Sequence, residues 1–278
     1  MQLGIRLHDI APGTLEERLK IAHEQGFKCG HLALAKVIKE YSVKDSALTP
    51  GYACYLRKLF DKNELDIAVL GCYLNLLHPD EDKLKEIVHR YMAHIRMASL
   101  MNVGVVGTET GCPNAEYKYC DENRTEANLS HFINNLRPIV EYAEKMGVIF
   151  AIEPVAKHTV WCPKVARKVL DEIGSPNLQI IFDPVNLLDI NNYQQRDEII
   201  AEAIDLLGPD IAMVHLKDFI VENGDLTSVA CGTGEMNYEV ILKFMKEQKP
   251  YVHATLENTK PENAVATKEF IQNIYDRL

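Results

Sequence analysis

Short apolar runs alternate with amphipathic segments of ten residues or more from one end of this 278-residue chain to the other. The clearest runs are DIAVLGCY at 66–73, VGVVGT at 103–108, VIFAIE at 148–153, LQIIFD at 178–183 and IAMVHL at 211–216. Each is apolar almost without interruption, as in parallel strands whose two faces are both covered. The pattern predicts strands at 3–7, 28–34, 66–74, 103–108, 148–153, 178–183, 211–216 and 251–257. It predicts helices over 14–26, 80–102, 128–146, 163–173, 194–207, 237–247 and 261–277. Thr14 and Asn237 stand where N-caps belong, and Gly26 where a helix stops.

Eight strands with intervening helices build either a closed (β/α)8 barrel or an open doubly wound sheet. The first strand-to-helix turn, HDIAPGT, has none of the G-x-G-x-x-G glycines of a dinucleotide-binding sheet. No Pro/Gly/Ser linker or low-complexity tract divides the chain. The expectation is therefore α/β, a single-domain (β/α)8 TIM barrel over residues 1–278, a size at which such barrels fold as one domain.

Charge and composition exclude several functions. Thirty basic residues against forty acidic give a net charge of −10, which offers no general attraction to nucleic acid or to an anionic membrane. No apolar run reaches the ~18 residues of a membrane span. The N-terminus lacks a secretory signal, and the seven cysteines are odd in number without a C-x-x-C. Free thiols in a reducing cytoplasm follow from this.

In such barrels the chemistry sits where strands end at the C-terminal face. Strand five ends in Glu153-Pro154, strand six in Asp183-Pro184, strand seven in His215-Leu216-Lys217-Asp218 and strand eight in Leu256-Glu257-Asn258. Any one of these carboxylates alone reads as a loop cap or ion-pair partner, and His215 alone as a core histidine. Three carboxylates buried together repel one another, and a cation among them relieves the conflict. Oxygen ligands with one imidazole suit Mn²⁺ first, with Zn²⁺, Co²⁺ or Mg²⁺ also compatible.

Taken in order, EP at 153–154, FDPVN at 182–186, VHLKD at 214–218, GTGEMNY at 232–238 and LEN at 256–258 resemble the xylose isomerase-like TIM barrels, in particular the sugar (phosphate) isomerases and epimerases. The resemblance implies that Glu153, Asp183, His215 and Glu257 are metal ligands. It also implies that the substrate is a small carbohydrate and that homodimers or homotetramers are possible. A cation holding a ketose carbonyl and its neighbouring hydroxyl acidifies the adjacent C–H. Glu153 and Glu257 would then be the catalytic pair, one removing the proton to give an enediolate and the other returning it from the opposite face. His78, Glu109, His158, Asn186 and Lys217 are further substrate-binding candidates on the same rim. For His78 a helix-capping role competes, for Lys217 and Asp218 a surface ion pair with each other, and for Trp161 core packing rather than stacking on a sugar. Gly232 and Gly234 suggest a phosphate loop only weakly.

Family members that act on free ketoses usually carry His three residues after the metal Asp and Arg six after the metal His. Asn186 and Val221 stand at those positions here, so the contacts that orient the polyol differ. Rival expectations are an inosose-type dehydratase using the same enediolate, an endonuclease IV-like hydrolase and a non-catalytic sugar-binding protein.

Overall fold

The computed structural model describes residues 1–278. Eight parallel strands close into a barrel: β1 (Gln2–Arg6), β2 (Cys29–Leu32), β3 (Asp66–Gly71), β4 (Val105–Glu109), β5 (Ile149–Glu153), β6 (Leu178–Phe182), β7 (Ile211–Leu216) and β10 (His253–Leu256). The ring closes where β1 pairs with β10, with Leu3 opposite Ala254. Two further strands, β8 (Asp218–Glu222) and β9 (Asp225–Val229), form a separate antiparallel hairpin directly after β7. The (β/α)8 expectation holds, and all eight expected barrel strands are present, the third ending at Gly71 rather than 74.

The outer helices are α1 (Leu15–Glu24), α2 (Leu34–Val37), α3 (Pro50–Lys62), α4 (Glu81–Leu100), α5 (Glu126–Met146), α6 (Pro163–Ile173), α7 (Arg196–Leu207), α8 (Glu239–Gln248) and α9 (Ala264–Arg277). Thr14 caps α1 in a reciprocal box with Glu17. Asn237 is not the cap of α8: Tyr238 holds that position, and the Asn237 side chain accepts from the Glu239 amide one residue further in. Helix α3 was not anticipated, although Ala53, Leu56 and Phe60 recur at helical spacing and are buried.

Packing concentrates between the barrel and its helices. Inside the barrel, Cys29, Val69, Ala151, Ile181 and Met213 from five strands form a second, smaller apolar cluster. Gly107 of β4 makes room for it, because a Cβ there would lie 2.4 Å from Ile181 Cδ1 and 2.8 Å from Val69 Cγ2. The barrel is thus filled below its C-terminal rim, and polar side chains are left to gather at the rim.

The β8–β9 hairpin turns at Asn223-Gly224, both with positive φ (52° and 79°), the conformation Asn-Gly adopts most readily. Asp218 organises its base. Its Oδ1 accepts from the amides of Phe219 (2.9 Å) and Met236 (2.8 Å), and its Oδ2 from those of Gly232 and Gly234 (both 3.0 Å). Lys157 reaches across from the β5 loop to Asp225, 2.8 Å away, and ties down the hairpin tip.

Candidate active site

Strand ends bring the four expected ligands together. Glu153, Asp183, His215 and Glu257 are all buried. His215 Nδ1 lies 3.3 Å from Glu153 Oε2 and 3.4 Å from Glu257 Oε1. Ligand atoms of Glu153, Asp183 and His215 lie within 4.8 Å of one another, as do those of His31, His215 and Glu257. Neither nitrogen of His215 has a hydrogen-bond partner. A buried imidazole with both nitrogens unsatisfied, facing carboxylate oxygens, fits a divalent cation.

A metal is not the sole source of positive charge among these carboxylates. Lys217 Nζ lies 2.7 Å from Asp183 Oδ2 and 3.6 Å from Glu257 Oε2, and Arg6 Nη1 lies 3.3 Å from Glu257 Oε2. The chain therefore carries its own compensating cations. Burial opposes charge on the His215 ring, but Glu257 and Glu153 outweigh it and push the group up to about 9. Burial raises Asp183 to about 6 against the pull of Lys217. Burial also disfavours an ionised Glu257, yet His215, Lys217 and Arg6 together hold it well below the ordinary carboxylate range.

Lys217 and Asp218 do not form a surface pair. Lys217 is buried in the site, and Asp218 is buried beneath the 232–236 turn. Asn186 links two site residues, donating from Nδ2 to Glu153 Oε1 at 2.6 Å and accepting from Lys217 Nζ at 2.7 Å. Both ends of its amide are thereby engaged in holding Glu153 and Lys217. The glycines of the GTG turn have their amides bound to the Asp218 carboxylate, so this turn is closed to an external phosphate.

Beside the candidate ligands opens a cavity of about 230 Å³ whose lining includes Glu109, Glu153, Asn186, Lys217 and Glu257. His78 lies outside it, and its Nδ1 accepts from the amide of Asp80, the residue that caps α4. His158 stands behind Glu109, with Nδ1 4.0 Å from Glu109 Oε2 and its ring 4.9 Å from that of Tyr117. Tyr117 donates to the same carboxylate at 3.1 Å. Trp161 is covered by the Arg124 guanidinium, 4.6 Å from its ring.

Several lining residues were not anticipated: Arg6, His8, His31, Lys36, Tyr73 and Asn258. His31 stacks on His215 with ring centroids 5.3 Å apart and planes 6° off parallel. Arg6 ends β1 and His31 lies on β2, so the first strands supply the site as the later ones do.

Residues 19–274 match the family described as xylose isomerase-like TIM barrel. A probable L-ribulose-5-phosphate 3-epimerase of Mycoplasma pneumoniae is 29% identical over 161 residues, covering 56% of this chain and 48% of that protein. The chain spans about half the length of the curated relatives it matches. Among solved structures, a D-tagatose 3-epimerase-like protein superposes with a TM-score of 0.77 at 21% identity, covering 100% of this chain and 98% of the other. The IOLI protein, solved with a bound zinc atom, gives 0.77 at 18% identity over 100% and 99% of the two chains. At these identities the structural likeness is one of fold.

Proposed function

Because the chain belongs to the xylose isomerase-like TIM-barrel family, we propose that it is a cytoplasmic, divalent-cation-dependent isomerase or epimerase of a small sugar, sugar phosphate or polyol derivative. Supporting this most directly, Glu153 and Glu257 reach His215 Nδ1 to within 3.3 and 3.4 Å from strands three places apart in the barrel, beneath an open cavity. Glu153, Asp183, His215 and Glu257 would hold the cation, with Mn²⁺ the first choice. When bound, it would act as a Lewis acid on the substrate's carbonyl and adjacent hydroxyl.

The protein's own groups do the rest. One glutamate accepts the proton from the carbon beside the carbonyl, and the other returns a proton to the opposite face. Asn186 fixes the Glu153 carboxylate through its 2.6 Å hydrogen bond. Lys217 and Arg6 offset the negative charge that builds on the enediolate next to Glu257. Return of the proton to the neighbouring carbon would give aldose–ketose interconversion instead. Expulsion of a hydroxyl would give dehydration, which product analysis distinguishes.

The test is solvent deuterium exchange, followed by NMR, for Mn²⁺-loaded protein with a panel of free and phosphorylated ketoses. Label should enter at the carbon beside the carbonyl of at least one substrate. If no label enters any of them, the reading is wrong.

A further inference from the structure

The cavity is electrically uneven from floor to rim. Its lining includes the buried Glu153 and Glu257, with His215 packed behind them, whereas Lys36, on the short helix α2, stands exposed at the rim. Arg6 is engaged by Asp9 at 2.9 Å and by Glu257, and Lys217 by Asp183. Lys36 has no carboxylate partner; its Nζ lies 5.7 Å above the Tyr73 ring and its charge acts on both His8 and Glu109. It is the one cavity-lining lysine or arginine that the chain leaves unpaired.

The groups sharing that rim suit an oxyanion. Ser228 of the hairpin contributes a hydroxyl, Asn258 a side-chain amide and His8 an imidazole. Asn258 follows β10 with φ of 55° and reaches the hairpin backbone at Ser228. These residues come from the ends of β1 and β10 and from β9, so the hairpin adds Ser228 to groups supplied by the barrel ends. Glu109, the one lining acid outside the proposed ligand set, accepts from the Tyr117 hydroxyl at 3.1 Å.

We propose that Lys36, with Ser228, Asn258 and His8, binds the phosphate of a phosphorylated sugar whose reactive carbons lie over Glu153 and Glu257. This rests on the isomerase or epimerase reading and specifies its substrate class. A phosphate monoester carries about −1.5 to −2 charges at neutral pH and makes strong charge-assisted hydrogen bonds with an ammonium. In a chain of net charge −10, an anionic substrate needs a local free cation at the entrance, and Lys36 supplies it. The GTG turn cannot serve instead, because Asp218 already occupies its amides. A cavity of about 230 Å³ falls below the ~300–1,000 Å³ of drug-sized ligand sites and suits a short sugar phosphate.

The experiment uses the full chain loaded with Mn²⁺ and compares a ketopentose 5-phosphate with its unphosphorylated parent in the deuterium-exchange assay. The wild type should favour the phosphorylated sugar in kcat/KM. Lys36→Gln should reduce that preference about 10- to 100-fold, mainly through KM, as expected for one lost charge-assisted contact, and Lys36→Arg should restore most of it. Inorganic phosphate should bind the wild type by calorimetry and bind Lys36→Gln at least several-fold more weakly, a readout independent of turnover. Equal use of the two sugars, or a preference untouched by Lys36→Gln, would overturn the phosphate site while leaving the isomerase reading intact. Preference for the corresponding sugar acid would overturn it in favour of a carboxylate. If no ketose exchanges, the activity reading fails, and equal calorimetric binding of phosphate by wild type and Lys36→Gln would then remove the rim site as well.

Discussion

Replacing Asp218 by asparagine isolates the role of one buried carboxylate. Asp218 accepts four backbone amides, two on each oxygen. Asparagine has the same shape but only one acceptor oxygen, so two amides lose their partner and face an NH₂ group instead. Each unsatisfied donor costs about 1–3 kcal/mol, giving a loss of roughly 2–6 kcal/mol for the pair. Gly234 leaves little scope for relaxation, because its α-carbon packs so tightly that a Cβ would lie 2.1 Å from the Phe219 carbonyl oxygen. Urea unfolding should therefore show a lower unfolding free energy by that amount, at unchanged slope. Amide hydrogen exchange should accelerate at Gly232, Gly234 and Met236 while the strands of the barrel keep their protection. A loss under about 1 kcal/mol with unchanged exchange at these amides would refute the assignment of Asp218 as the organiser of this turn.

Glu153→Gln and Glu257→Gln should each lower deuterium exchange by roughly 10²- to 10⁴-fold, the usual range for losing a positioned proton carrier; circular dichroism should show the fold retained, and near-wild-type exchange in either variant would remove that glutamate from the proposed pair. Asp183→Asn should cut metal retention after dialysis, measured by elemental analysis against wild type, and full stoichiometric retention would exclude Asp183 as a ligand. His94 is buried in α4, and burial holds its ring down to about 4 although Nδ1 sits 2.9 Å from the Arg90 carbonyl oxygen. Between that value and the ordinary 6.5 the unfolded chain binds a proton that the folded chain refuses, so stability rises with pH there and is lost on acidification. The contribution of His94 is about 3 kcal/mol across this window, and urea titrations at pH 4.5 and 7 should show a smaller pH-dependence for His94→Gln than for wild type.

The barrel was legible because its strands are apolar on both faces, and the four candidate ligands because each stands at or next to the end of such a strand. Glu153, Asp183, His215 and Glu257 could be picked out by position alone. The hairpin is equally written in the chain, in the Asn223-Gly224 pair between VE and DL, although its strands lack the unbroken apolar character of the barrel strands. Thr49, Pro50 and the spacing of Ala53, Leu56 and Phe60 likewise announced α3. The reach of Lys217 into the site was different in kind. In sequence it adjoins Asp218, and only the alternation of side chains at the end of β7 sends one toward Asp183 and the other under the turn. His31 and Lys36 were not legible for another reason: His31 lies inside a strand rather than at its end, and Lys36 lies on the four-residue α2, too short for a periodic pattern to show.

The apolar filling around Gly107 has a kinetic meaning. Ile181, Val69 and Met213 fill the barrel beneath the site, so the cavity opens toward the C-terminal rim where Lys36 stands. Under the proposed reaction, substrate and product would share that opening. With one substrate and one product, each turnover would wait on the emptying of the last.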